Sequence, residues 1–104
     1  MKNLPPNTGI IQSFRVNSRR YVHSICTKTD VVFLTNDAGE VLATYSQNAA
    51  MIGPDGEDIG RFKLGARYCW YFDLENGKIF DGFGNDLLNA EVEISKLFIE
   101  GKLK

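Results

Sequence analysis

The stretch Arg61-Phe62-Lys63-Leu64-Gly65-Ala66-Arg67-Tyr68-Cys69-Trp70-Tyr71-Phe72-Asp73-Leu74-Glu75-Asn76-Gly77-Lys78-Ile79-Phe80-Asp81-Gly82-Phe83 interleaves charged residues with rings and aliphatics. It is broken only around Gly65 and Gly77, so it reads as three antiparallel strands. Asn-Gly is the favoured pair for a two-residue I′ hairpin. Such a turn at Asn76-Gly77 pairs Leu74 with Ile79, Phe72 with Asp81 and Trp70 with Phe83. Asp81 then falls on the inward face, either as an acid accepting turn amides or as one at the mouth of a small pocket. A three-residue loop at Leu64-Gly65-Ala66 pairs Lys63 with Arg67 and puts Phe62, Tyr68 and Trp70 together inside. A two-residue Gly65-Ala66 turn instead sets Arg61 opposite Trp70. The first register is preferred because it keeps the large rings on one face.

Upstream, Asn36-Asp37-Ala38-Gly39 and Gly53-Pro54-Asp55-Gly56 carry the same punctuation. Gly39, Gly56 and Gly77 are each followed six positions later by a ring, Tyr45, Phe62 and Phe83. Three hairpin turns, each releasing a strand with an inward ring, explain the pattern. β-Branched and aromatic runs at 10–16, 20–27, 31–35, 41–45, 49–52, 59–64, 68–74 and 78–83 give up to eight strands. After Gly84 the period changes: Asn85 or Asp86 can cap a helix over 86–100, and Gly101 can end it. The expected fold class is therefore α+β, a curved antiparallel β-meander or small barrel-like sheet with one C-terminal amphipathic helix. Residues 1–8 read as a flexible N-terminal arm and 9–104 as a single domain.

The helix carries two apolar stripes. Leu87, Ala90, Ile94, Leu97 and Phe98 form one, and Leu88, Val92, Ile99 and Leu103 form the other. One stripe should pack on the sheet. The second predicts a homodimer interface across a two-fold axis, or else packs beneath the arm around Leu4-Pro5-Pro6.

Near-neutrality, with 12 Lys and Arg against 13 Asp and Glu, hides a blocked distribution. Residues 1–35 are basic, 36–60 carry only acidic charges, and Arg61, Lys63 and Arg67 make a second basic zone. No apolar run reaches the ~20 residues of a membrane span, and the first residues lack the apolar stretch of a secretory signal. These features, with only Cys26 and Cys69 as thiols, point to a cytoplasmic protein with reduced cysteines and no membrane partner. A Cys26–Cys69 bridge would require their strands to be neighbours.

No catalytic, metal or cofactor motif is present, so the reading is of a protein that is not an enzyme and holds no metal or cofactor. His23 is the only histidine, and a strand would point it and Cys26 to opposite faces. The outer face of the sheet collects Arg61, Lys63, Arg67 and Tyr71, with Phe80 one strand over. Arg15, Arg19, Arg20 and Tyr21 are a candidate extension. Basic groups among rings suit an acidic protein partner, or single-stranded nucleic acid as the alternative. A small-molecule pocket or hydrolytic site using Asp81 or His23 comes third. The acidic zone at 36–60 favours protein over nucleic acid.

Overall fold

The computed structural model describes residues 4–103, so the first three residues of the expected arm and Lys104 lie outside the described residues. Eight strands follow one another in chain order: β1 (Thr8–Val16), β2 (Arg19–Cys26), β3 (Val32–Asn36), β4 (Val41–Tyr45), β5 (Ala50–Ile52), β6 (Asp58–Leu64), β7 (Trp70–Leu74) and β8 (Ile79–Phe80). Each pairs antiparallel with the next, giving one open, curved meander with β1 and β8 as its edges. A single helix, α1 (Leu87–Ile99), follows. The α+β meander with a C-terminal helix is thus the fold, and the sheet does not close. Among the described residues no helix is long and apolar enough to cross a membrane.

One loop design recurs. At Asn36–Glu40, Ser46–Ala50, Gly53–Glu57 and Leu74–Lys78, the first residue's N–H donates to the fifth residue's carbonyl. Its own carbonyl accepts from the fourth residue's N–H, leaving three residues in the loop. The third loop residue has positive φ in each: Gly39 at 80°, Ala49 at 63°, Gly56 at 82° and Gly77 at 90°. This is the three-residue hairpin, a tight turn closed by a left-handed residue. Asn76-Gly77 is therefore not a two-residue turn. Gly77 takes the left-handed position, and the Asn76 carboxamide oxygen accepts from the Lys78 N–H at 2.9 Å. The pairing shifts by one: Phe72 faces Phe80 and Asp73 faces Ile79.

The β6–β7 connection also departs from both expected registers. Gly65 N–H donates to the Cys69 carbonyl, and Ala66–Tyr68 forms a single 3-10 turn with positive φ at Arg67 and Tyr68. Leu64 pairs with Trp70, Lys63 with Tyr71, Phe62 with Phe72 and Arg61 with Asp73. Phe62 and Phe72 are buried together as an inward row should be, but Tyr68 is thrown out into solvent and Trp70 is half-buried.

The concave face holds the core. Leu34, Ala43, Tyr45, Met51, Phe62 and Phe72 line it, and Ala90 and Ile94 of α1 cover it. Gly60 is needed there: a Cβ would lie 2.7 Å from the Phe72 ring and 2.8 Å from the Asp73 carbonyl. Asp86 caps α1 by accepting from the Asn89 N–H, and Gly101 ends it with φ of 73° while Lys102 N–H reaches back to the Leu97 carbonyl.

The expected dimer patch is corrected by burial. Val92 and Leu103 are buried within the chain, Ile99 packs against the core, and only Leu88 stays open at 48% exposure. At 100° per residue, Glu91 and Ser95 fall between the two apolar stripes, and both are buried. The stripes are the flanks of one broad covered face.

Candidate functional site

The sheet opens where β8 stops. After Phe72 and Phe80 the next partners would be Tyr71 and Asp81, but the ladder ends there, and Trp70 N–H turns to the Gly84 carbonyl at 2.7 Å. The parted strands leave a recess of about 550 Å³, walled by Trp70 and Tyr71 on one side and Ile79 and Asp81 on the other. Gly65 and Cys69 of the 3-10 connection close its end. Gly65 allows this, since a Cβ there would stand 3.1 Å from the Tyr71 ring. Ile79 in its wall is 56% exposed, and Leu64 and Tyr68, which precede the lining residues Gly65 and Cys69 in the chain, are 49% and 76% exposed.

Of the expected outer-face residues, Arg61, Lys63 and Tyr71 do share one face of β6 and β7. Arg67 sits on the 3-10 connection, exposed, next to Ala66, which lines the recess. Phe80 does not join them. Opposite Phe72, it packs inward against the core, with the Lys78 ammonium 5.2 Å from its ring centre. Asp73 also enters the outer face, and its carboxylate takes the Lys63 ammonium at 2.8 Å. That hydrogen bond holds the Lys63 ammonium above its usual range. Arg61 and Arg67 make no ion pair among the described residues. Asp81 is exposed rather than set among inward rings, because the shifted register carries it past the end of β8 to the recess.

The candidate extension lies on other strands. Arg15 faces Arg20 across the β1–β2 hairpin, whose Asn17-Ser18 turn has positive φ at both residues. Tyr21 is buried with its ring stacked on Phe14, and β3, β4 and β5 stand between β2 and β6. Cys26 and Cys69 are free thiols, Cys26 buried on β2 and Cys69 exposed on the connection between β6 and β7.

A second set of polar residues lies under the helix. His23 Nε2 meets Ser95 Oγ at 2.8 Å, Ser95 Oγ meets Tyr45 OH at 2.7 Å, and Tyr45 OH donates to the Glu91 carbonyl at 3.2 Å. A chain of donors in that order satisfies every group if His23 carries its proton on Nε2. Burial lowers the His23 imidazole to about 4, raises the Tyr45 phenol, and pushes the Glu91 carboxyl up to about 7. Glu91 and Ser95 are not among the site residues expected from the sequence. Their signal was the helical period, which sets Glu91 about 40° from Leu87, inside the covered arc. Among the described residues no group of three His, Cys, Asp or Glu could hold a metal.

Against family models, curated proteins and solved structures, the chain finds no match.

Proposed function

We propose that this chain is a non-catalytic binding module that receives an acidic protein partner at the recess beside Trp70 and Tyr71. The observation that carries the reading is the exposure of Ile79 in the wall of that recess and of Leu64 and Tyr68 next to its lining residues in the chain. Leaving such groups in water forfeits burial free energy of about 25 cal/mol per Å², and clustered exposure of this sort marks an interaction surface. Trp, Tyr and Arg are the residues that anchor protein interfaces, and Arg61 and Arg67 supply charge for a partner carboxylate outside the recess. Asp81 keeps the acidic group at the rim, so the recess takes an apolar side chain.

The His23–Ser95 pair that a nucleophilic reaction would need is buried beneath α1, which favours binding over catalysis. Two free thiols suit the reducing cytoplasm. Leu88 alone offers little surface for a second copy.

Single-stranded nucleic acid is the second reading, favoured by Tyr68, Trp70 and Tyr71 as stacking surfaces beside Arg61 and Arg67. Asp73 and Asp81 on the same surface oppose it, since phosphates would meet their charge. The test compares proteins copurifying with the tagged chain and with a Tyr68→Ala/Ile79→Ser double variant. An acidic protein recovered by the first and lost by the second, with equal thermal stability, is expected. Its full retention by the double variant would overturn the reading. Recovery of nucleic acid, with a salt slope of about -0.7 per phosphate contact, would replace it with the second.

A further inference from the structure

A separate recess of about 330 Å³ lies where α1 begins, against the ends of β2 and β3 and the β4–β5 loop. Ile25, Val32 and Leu87 give it an aliphatic wall, Asp30 stands exposed in its lining, and Glu91 lines it from the helix. Glu91 is 4% exposed, and its Oε1 is shielded from solvent with no hydrogen-bond partner among the described residues. Nor does any ion pair among the described residues involve Glu91. A buried carboxylate oxygen without a partner is costly, and a donor from outside would relieve it once a turn of the Glu91 side chain brings that oxygen to the recess.

We infer that this recess is a binding site for a primary ammonium group carried on an aliphatic stem, with the Glu91 carboxylate as its counter-charge. The aliphatic wall takes the stem, as it takes the methylenes of any long cationic side chain. A single orphaned oxygen suits one N–H donor of an ammonium better than the paired donors of a guanidinium. A hard divalent ion would want six or more oxygens and several carboxylates, whereas only Asp30 and Glu91 are acidic here and no group of three acidic, His or Cys side chains forms among the described residues. A quaternary ammonium would want an aromatic cage, and no ring lines these walls. The site shares no residue with the recess beside Trp70 and does not depend on it.

The same chemistry reaches the site from a free alkylamine or from a lysine side chain. Two probes separate them: n-butylammonium chloride and Nα-acetyl-lysine amide, each against equal sodium chloride, with n-butanol as the neutral stem. In the full chain, n-butylammonium should raise Tm by roughly 6–10 °C at ten times its Kd, and n-butanol should not. The methyl resonances of Ile25, Val32 and Leu87 should shift and saturate together. Glu91→Gln, which keeps the shape and removes the charge, should abolish both effects. Equal potency of the lysine amide assigns the site to a side chain, and much weaker binding assigns it to a free amine. No saturable shift in the wild type, or the same shift in Glu91→Gln, overturns the site.

Discussion

Two regions of this sheet are rich in rings and polar groups, and they treat them in opposite ways. Beneath α1, His23, Tyr45 and Ser95 are buried and hydrogen-bonded in a row, with rings packed edge-on at 5.3–5.7 Å. At the open end of β6, β7 and β8, Tyr68, Leu64 and Ile79 are exposed, and the Lys63–Asp73 ion pair, the shortest among the described residues, is partly open to solvent. Buried polar groups raise the cost of every disruption, because a lost partner leaves a desolvated group behind. Exposed groups hold little of the fold together. A residue with small structural value and large exposed surface is free to serve a partner, which is the argument behind the binding site proposed at the open end.

The largest expected effect sets one ring from each kind of environment side by side. Phe72 is fully buried, 4.8 Å from the Phe62 ring and beneath Gly60. Phe72→Ala should cost about 3–5 kcal/mol in urea unfolding. Tyr68→Ala, four residues away in the chain, should change stability by no more than about 0.5 kcal/mol. Similar losses for the two would break the contrast.

Those neighbours also show what was legible. All eight strands and the helix could be read, because alternation and the 3.6-residue period survive an error in pairing. Register could not. A three-residue loop in place of Asn76-Gly77 as a two-residue turn moved Phe80 from the outer face to the core and Asp81 from the core side to the recess. Whether Gly77 closes a loop of two or three residues depends on the Asn76 carboxamide bonding the Lys78 N–H, and that contact leaves no periodic trace. Tyr68 escaped for a similar reason: left-handed φ at Arg67 and Tyr68 is not announced by either residue type. On the helix, Glu91 and Ser95 divide one covered arc into two apparent stripes, so that from sequence alone the second reads as a face free for a partner.

The covered region makes a pH prediction with two opposing parts. Glu91 is raised from 4.5 to about 7 on folding, so the folded state holds a proton that the unfolded chain releases. Its contribution is fully present below about pH 4.5 and is lost as pH rises toward 7. His23 is lowered from 6.5 to about 4, so the unfolded chain binds the extra proton. Its contribution is fully present above about pH 6.5 and is lost as pH falls toward 4. Between about pH 4.5 and 6.5 the two proton changes cancel, with Tyr45 neutral beside them and Asp30 exposed at the recess. Glu91→Gln removes one side of the balance. Relative to wild type, its stability should rise with pH between about 4.5 and 7, by an order of 3 kcal/mol at 1.36 kcal/mol per pKa unit. A difference between the two proteins that stays constant across that range would show that Glu91 keeps an ordinary carboxyl.

The smallest effect tests whether the covered region has traded backbone ease for packing. Three of the four matching loops end on exposed glycines with nothing within 4 Å of an added Cβ. The fourth, between β4 and β5, places Ala49 at φ of 63°, buried, and its carbonyl accepts from the Phe62 N–H at 2.9 Å. A left-handed alanine costs roughly 1–2 kcal/mol relative to its preferred backbone. Its buried methyl returns about 0.8 kcal/mol, and alanine also spares the unfolded chain some of glycine's freedom, worth about 0.4–1 kcal/mol. The terms oppose each other, so Ala49→Gly should move stability by no more than about 0.5 kcal/mol in either direction. Gly39→Ala, in the same loop geometry but facing solvent, has the strain with no burial to offset it and should lose about 1 kcal/mol. If Ala49→Gly instead stabilised by as much as Gly39→Ala destabilised, the methyl beneath the helix would be contributing nothing, and the two regions would differ in exposure alone.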